Sequence, residues 1–207
     1  MESWKETNPD YTIMRWDETN TDLHMHPFVE KMYREKKWAF VADYVRLHVL
    51  YEHGGIYLDT DMKLVQSLDT LLSTDLLLGK ESEEYISCGM IGAIPHHFFI
   101  EATMKAYDSL EAPRPNPLIM TEIFNTLHPV HALVMPPVAF YPFTSDTIKN
   151  YKGQALSKET YGVHLWNYSW GHPLNRFFKK IGIYRTGKRI VEKLRLKKIL
   201  KELLGFI

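Results

Sequence analysis

Phe40-Val41-Ala42-Asp43-Tyr44-Val45-Arg46-Leu47-His48-Val49-Leu50-Tyr51-Glu52-His53-Gly54-Gly55-Ile56-Tyr57-Leu58-Asp59-Thr60-Asp61 decides the fold of this 207-residue chain. Phe40, Val41, Tyr44, Leu47, His48 and Tyr51 recur at spacings of three and four, which predicts a helix with one buried stripe, and the helical pattern reaches back to Phe28. Gly54-Gly55 ends it, because glycine enters the positive-φ conformations that close helices. Ile56-Tyr57-Leu58 then reads as a short buried strand that stops at Asp59-Thr60-Asp61.

Outward from this helix-to-strand unit the same alternation continues. Upstream, Tyr11 to Trp16 could form a short strand between the turn signals Asn8-Pro9-Asp10 and His26-Pro27. Downstream, Leu76 to Gly79 and Met90 to Ile94 look like core strands, and His96 to Leu110 is helical. Pro113, Pro115 and Pro117 break the chain before a second helix from Leu118 to Leu127. Leu133-Val134-Met135 is a strand closed by Pro136-Pro137. Tyr161 to Leu165 is a late strand, followed by a loop from Trp166 to Pro173. Helices alternating with short strands predict an α/β fold with a mainly parallel central sheet flanked by helices.

Ligands of open α/β sheets bind beyond the carboxyl ends of strands, where Asp59 and Asp61 stand. Residues i and i+2 of an extended segment point to one side. Two carboxylates there repel each other, and a divalent cation removes that cost. Hard cations share oxygen ligands between carboxylates and phosphates, so the pattern predicts a metal-bound diphosphate. By itself Asp-x-Asp is equally compatible with solvated loop residues or caps.

Composition narrows the classes. Hydrophobic residues make up 45% and charged residues 24% of the chain, which excludes disorder. The single cysteine, Cys88, allows no internal disulfide and reads as a small buried residue. No window has the length of a membrane span, and the N-terminal residues lack a signal-peptide core, so the expected location is cytoplasmic. The zero net charge hides an asymmetry: 11 Lys/Arg against two Glu from Arg176 onward, and 14 basic against 23 acidic residues before it. Residues 176–207 read as a basic amphipathic helical segment appended to a domain at 1–175. Such a segment can lie on the inner face of an anionic membrane, although a solvated helix packed on the acidic body has the same composition. Beyond charge nothing points to nucleic acid.

The block from Phe40 to Asp61 resembles the sugar-binding region of glycosyltransferase family 32, which includes bacterial capsular polysaccharide transferases and the yeast initiating mannosyltransferase. The same pattern occurs in the catalytic domain of the large clostridial glucosylating toxins. Ser3-Trp4 with Asn8-Pro9-Asp10-Tyr11, Met135-Pro136-Pro137 with Phe140-Tyr141-Pro142, and Val163-His164-Leu165-Trp166 with Ser169-Trp170 are similar to further segments of that family. The resemblance implies a GT-A-type nucleotide-diphospho-sugar transferase fold. Family members carry a strand ahead of the Ser-Trp element, and here that first strand is expected to be missing. Ser87-Cys88 stands where relatives often show Asn.

What the resemblance implies for the site is specific. Asp59 would hold the donor ribose or a metal-bound water, and Asp61 would bind Mn²⁺ or Mg²⁺ directly. Asp43 and Arg46, three apart on the helix, would contact the donor sugar and the sugar or diphosphate; as a bland alternative they form an intrahelical ion pair. Tyr57 would line the donor pocket or pack in the core. His164 is a further metal or diphosphate ligand, or a structural histidine. Ser169 and Trp170 would close over the diphosphate. The implied activity is metal-dependent, retaining transfer of a hexose from a UDP- or GDP-sugar to a glycan or lipid-linked acceptor in surface polysaccharide synthesis. The alternatives are a non-catalytic protein on the same fold and a haloacid-dehalogenase-type phosphatase. The second wants Thr or Val where Lys63 stands.

Overall fold

The computed structural model describes residues 1–167. Ser169, Trp170 and the basic segment 176–207 lie outside the described residues. The elements run α1 (Glu2–Thr7), α2 (Pro27–Arg34), α3 (Trp38–His53), β1 (Gly55–Leu58), β2 (Met62–Leu64), β3 (Leu76–Lys80), β4 (Ile86–Ala93), α4 (Phe98–Lys105), α5 (Asn116–Leu127), β5 (Ala132–Met135), α6 (Pro137–Phe140) and β6 (Gly162–His164). Among the described residues no helix is long and apolar enough to cross a membrane.

Four strands form a sheet in the order β1-β4-β3-β5, and β2 pairs with β6 in a second, two-stranded sheet. The architecture is α/β as expected, but the sheet is mixed rather than mainly parallel. Only β3 and β5 run parallel, while β4 is antiparallel to both β1 and β3. Chain length explains the correction. The five residues between Lys80 and Ile86 can turn a hairpin but cannot carry a crossover helix.

The sheet has a core on each face. Leu76 and Leu78 join Leu47, Leu50, Ile91, Phe99 and Met120, under the helices. Leu77, between them, points the other way into Met62, Leu64, Met90, Phe140 and Tyr141. Successive strand residues alternate in direction, so a sheet covered on both sides reads as an unbroken apolar run.

Two expectations from the sequence fail locally. The helix from Phe28 to Tyr51 is two helices, because Glu35–Lys37 closes α2, with Lys36 at φ 56°. No glycine or proline marks that break. Tyr11 to Trp16 forms no strand; Tyr11 instead donates from its hydroxyl to Asp69 Oδ1 at 2.8 Å. The N-terminal segment serves a different purpose. Trp4 Nε1 donates to the Met62 carbonyl at 2.6 Å, and the Leu64 and Leu68 amides donate to Ser3 Oγ and Asn8 Oδ1. These bonds satisfy backbone groups on the side of β2 away from β6.

Gly54 (φ 64°) and Gly55 (φ 94°) turn α3 into β1 as the sequence predicts. A Cβ on Gly54 would lie 2.6 Å from Pro95 Cδ, whereas one on Gly55 would meet nothing within 4 Å. Gly54→Ala therefore carries strain and a clash and should cost about 3 kcal/mol or more, against about 1–2 kcal/mol for Gly55→Ala, read as denaturant midpoints at unchanged m.

Candidate metal centre

The site begins where β1 ends. The Asp59 amide extends the β1–β4 ladder by donating to the Gly89 carbonyl at 2.9 Å, and the Met62 amide closes a tight turn on the Asp59 carbonyl at 2.8 Å. The turn carries Asp59 and Asp61 and hands the chain to β2. There Met62 pairs with His164 of β6, and the Leu165 amide donates to the Asp61 carbonyl at 2.9 Å. His164 Nε2 consequently lies 3.2 Å from Asp61 Oδ1 and 3.7 Å from Asp59 Oδ2. One donor atom from each of Asp59, Asp61 and His164 falls within 4.8 Å of the others. These are the three ligands the sequence singles out.

The donor set fits a hard or borderline divalent cation: two carboxylates and one imidazole leave coordination positions for water or phosphate oxygens. His164 Nδ1 is buried without a hydrogen-bond partner, so Nε2 is the nitrogen turned to the carboxylates. Burial opposes a charge on His164, but hydrogen bonds and attraction from Asp59 and Asp61 outweigh it and lift its pKa to about 9. Burial likewise opposes ionisation of Asp59, yet Arg46, His164 and Tyr57 together hold it down at about 2. Without a cation, the protonated imidazole offsets part of the charge of the two carboxylates.

Behind the carboxylates lies Arg46, with 6% of its side chain exposed. Nη1 donates to Asp59 Oδ1 (3.2 Å) and the Cys88 carbonyl (2.6 Å), Nε to the Ala42 carbonyl (3.1 Å), and Nη2 pairs with Asp43 Oδ1 (3.0 Å). Three of its N–H groups donate hydrogen bonds, and Nη2 adds the ion pair with Asp43. The Asp43–Arg46 ion pair is present. Asp43 differs from Asp59: burial raises it, Arg46 pulls it down and Asp59 pushes it up, leaving it at about 6. Tyr57 donates its hydroxyl to Asp59 Oδ1 at 2.8 Å, and its ring lies 4.8 Å under the Arg46 guanidinium. Both Arg46 and Tyr57 thus fix the orientation of Asp59. Burial pushes the Cys88 thiol well above its ordinary range, so it stays a thiol.

Three residues at the site were not read from the sequence. A Cβ on Gly89 would meet Asp59 Oδ2 at 2.7 Å and the Tyr141 hydroxyl at 2.8 Å, so only glycine leaves room for the carboxylate. Ser87 Oγ is hydrogen-bonded to the Tyr141 hydroxyl and accepts from the Gly89 amide at 3.0 Å. The Tyr141 ring stands 5.3 Å from His164. Glycine inside a strand is the signal that could have found this approach. Trp166, expected in a loop, packs edge-on to His164 at 4.5 Å and donates to the Phe143 carbonyl at 2.8 Å, with φ 55°. That backbone angle is costly for a bulky residue and marks a constrained position.

Two predictions follow from this geometry. Gly89→Ala should displace Asp59 and weaken Mn²⁺ binding roughly 10–100-fold, measured by calorimetry, while the protein still folds. His164 titrates in the folded state at about 9, above its ordinary range. Its contribution, at most about 3 kcal/mol, is full below roughly pH 6.5 and disappears as pH rises through 9. The metal-free protein should lose thermal stability across that window, and His164→Gln should flatten the loss. Because Mn²⁺ competes with the proton, its stabilising shift should grow from pH 6 to 9.

The chain is similar to several known proteins. Residues 1–78 match the family described as glycosyltransferase sugar-binding region containing DXD motif. The chain is 24% identical over 155 residues to alpha-1,4-N-acetylglucosaminyltransferase of Homo sapiens, covering 65% of this chain and 44% of that protein. It is 26% identical over 148 residues to lactosylceramide 4-alpha-galactosyltransferase of Rattus norvegicus (61% and 40%). It is 31% identical over 125 residues to the mannosyl phosphorylinositol ceramide synthase SUR1 of Saccharomyces cerevisiae (52% and 32%). The chain thus spans less than half the length of each of these relatives. A solved structure, PaToxG Glycosyltransferase, aligns over 53% of this chain and 45% of its own, at 20% identity and a TM-score of 0.42. Asp59-Thr60-Asp61 is the one Asp-x-Asp within the residues that match that family, 1 to 78.

Proposed function

We propose that this chain carries out metal-dependent, retaining transfer of a hexose from a nucleotide-sugar donor, UDP- or GDP-linked, to a lipid-linked or glycan acceptor. The convergence of Asp59, Asp61 and His164 at the carboxyl end of β1 carries the proposal. These three would hold Mn²⁺ or Mg²⁺, which when bound supplies Lewis-acid stabilisation of charge on the departing diphosphate.

The chain's own residues prepare the rest. Arg46 and Tyr57 fix Asp59 in one rotamer, so that its free carboxylate edge faces the donor ribose or a coordinated water. The Arg46 guanidinium and the Asp43 carboxylate lie on the same helix face, where a sugar hydroxyl or phosphate oxygen can be held. Trp166 covers His164 and keeps water from that side of the site. Asp59 is kept ionised by Arg46, which suits it to charge stabilisation rather than proton transfer. The acceptor hydroxyl would attack the face the leaving group vacates, with the diphosphate taking its proton. Two of the relatives carry a ceramide lipid in their names, lactosylceramide in one and mannosyl phosphorylinositol ceramide in the other, which favours a lipid-linked acceptor here. A role in surface polysaccharide synthesis is compatible with the same chemistry.

Purified protein with Mn²⁺ is to be screened against UDP- and GDP-hexoses for slow donor hydrolysis. Activity with at least one donor, lost on chelation and lowered on the order of 10²–10³-fold in Asp61→Ala, is the expected outcome. Donor binding with neither hydrolysis nor transfer would sink the catalytic reading, and release of phosphate from simple monoesters would replace it with a phosphatase.

A further inference from the structure

The corner between α2 and α3 has a surface that the metal centre does not use. Residues 34–38 are all exposed. Four of the 14 basic residues before Arg176, namely Lys31, Arg34, Lys36 and Lys37, fall within seven consecutive positions, on a body with 23 acidic residues. The one acid among them, Glu35, is already paired with Lys37 at 2.6 Å. Trp38, the first residue of α3, is 47% exposed and stands edge-on to Tyr33 at 5.1 Å. A large aromatic left half in water at the centre of a cationic cluster contributes little to the core and calls for another partner.

Its place in the fold is informative. α3 runs antiparallel to β1, since Gly54 at its far end sits against Pro95 and Ala93, while Asp43 and Arg46 nearer its start reach Asp59. Trp38 precedes Asp43 by five residues, about 7–8 Å of helix rise. The corner therefore belongs to the same end of the domain as the carboxylates. Tryptophan and tyrosine concentrate at the headgroup level of bilayers, and Lys or Arg beside them are drawn to anionic headgroups. An acidic protein or a nucleic acid would use the same cations and rings, and failure to bind anionic lipid is the outcome that would favour them.

We propose that the α2–α3 corner docks on the headgroup layer of an anionic lipid bilayer, Trp38 and Tyr33 entering it and Lys31, Arg34, Lys36 and Lys37 facing the anionic groups. Docking holds the end of the domain that bears Asp59 and Asp61 next to the lipid surface. The docking stands on the surface itself. Only its use, meeting a lipid-linked acceptor where it resides, rests on the glycosyl-transfer reading.

The full chain is to be tested by co-sedimentation with vesicles of phosphatidylcholine, alone and with one-third phosphatidylserine. Binding should require the anionic lipid, and each cation removed at the corner should weaken it roughly five-fold. The double variant Lys36→Glu, Lys37→Glu should thus bind at least an order of magnitude more weakly than the parent. Because residues 176–207 are basic as well, the decisive readout is local: brominated lipid should quench tryptophan emission in the parent, and much of that quenching should vanish in Trp38→Phe. Absence of anionic-lipid binding, an unweakened double variant, or full quenching in Trp38→Phe would each overturn the proposal. Metal-dependent donor hydrolysis without vesicles is measured on the same samples and should be unchanged by these substitutions. Vesicle binding without any hydrolysis would leave the docking standing while the transfer reading falls.

Discussion

The guanidinium of Arg46 ties three elements together at one buried point: its own helix through Asp43 and the Ala42 carbonyl, the end of β1 through Asp59, and β4 through the Cys88 carbonyl. Removing a charge from water is expensive, and the arrangement is favourable because the guanidinium meets two carbonyls and two carboxylates. Truncating such a side chain leaves the buried Asp43 carboxylate without its partner and beside partly exposed Asp59; removing one member of a buried pair costs on the order of 3–5 kcal/mol. The consequences are unequal for the two carboxylates. Asp59, which also accepts from Tyr57 and lies beside His164, is held at about 2, while the more enclosed Asp43 is left at about 6. Arg46 pulls both carboxylates down, but burial wins at Asp43, whereas Arg46 with His164 and Tyr57 wins at Asp59.

The sequence made much of this legible because the chemistry sits in one short segment. Asp43, Arg46, Tyr57, Asp59 and Asp61 are local to α3 and β1, and helix periodicity, two glycines and a strand end suffice to bring them to one end of the domain. His164 was legible for another reason: its neighbours Trp166, Ser169 and Trp170 form a recognisable pattern, although no periodicity rule could say that it would reach Asp61. What the sequence does not display is pairing partners. β3 and β4 look alike whether they run parallel or antiparallel, and only the length of the link between them decides. Gly89, Ser87 and Tyr141 escaped because their importance lies in proximity to Asp59 across strands, which a linear pattern does not encode. The break between α2 and α3 escaped because Lys36 takes a left-handed conformation usually announced by glycine.

The two sheets divide the work. The four-stranded sheet, with a core on each face, supplies the rigid end on which Asp59 is fixed. The second sheet has three residues in each strand, and a two-stranded ladder of that size is marginal alone. Its role is to bring His164 across 103 positions of sequence to Asp61. A cation held by all three residues would close that loop, so binding energy would pass directly into the stability of the β2–β6 pair.

This explains why an N-terminal segment with no side chain at the site belongs to the same sequence signature. On the side of β2 away from β6, Trp4 caps the Met62 carbonyl and Ser3 the Leu64 amide, while Asn8 takes the Leu68 amide four residues beyond the strand. An uncapped edge would leave backbone groups beside the second core without partners, at about 1–3 kcal/mol each. Such a loss is large beside what a three-residue pairing contributes. Ser3, Trp4 and Asn8 therefore act on the candidate metal centre through β2, by keeping Met62 in register with His164, and their constraint is one of position rather than of chemistry.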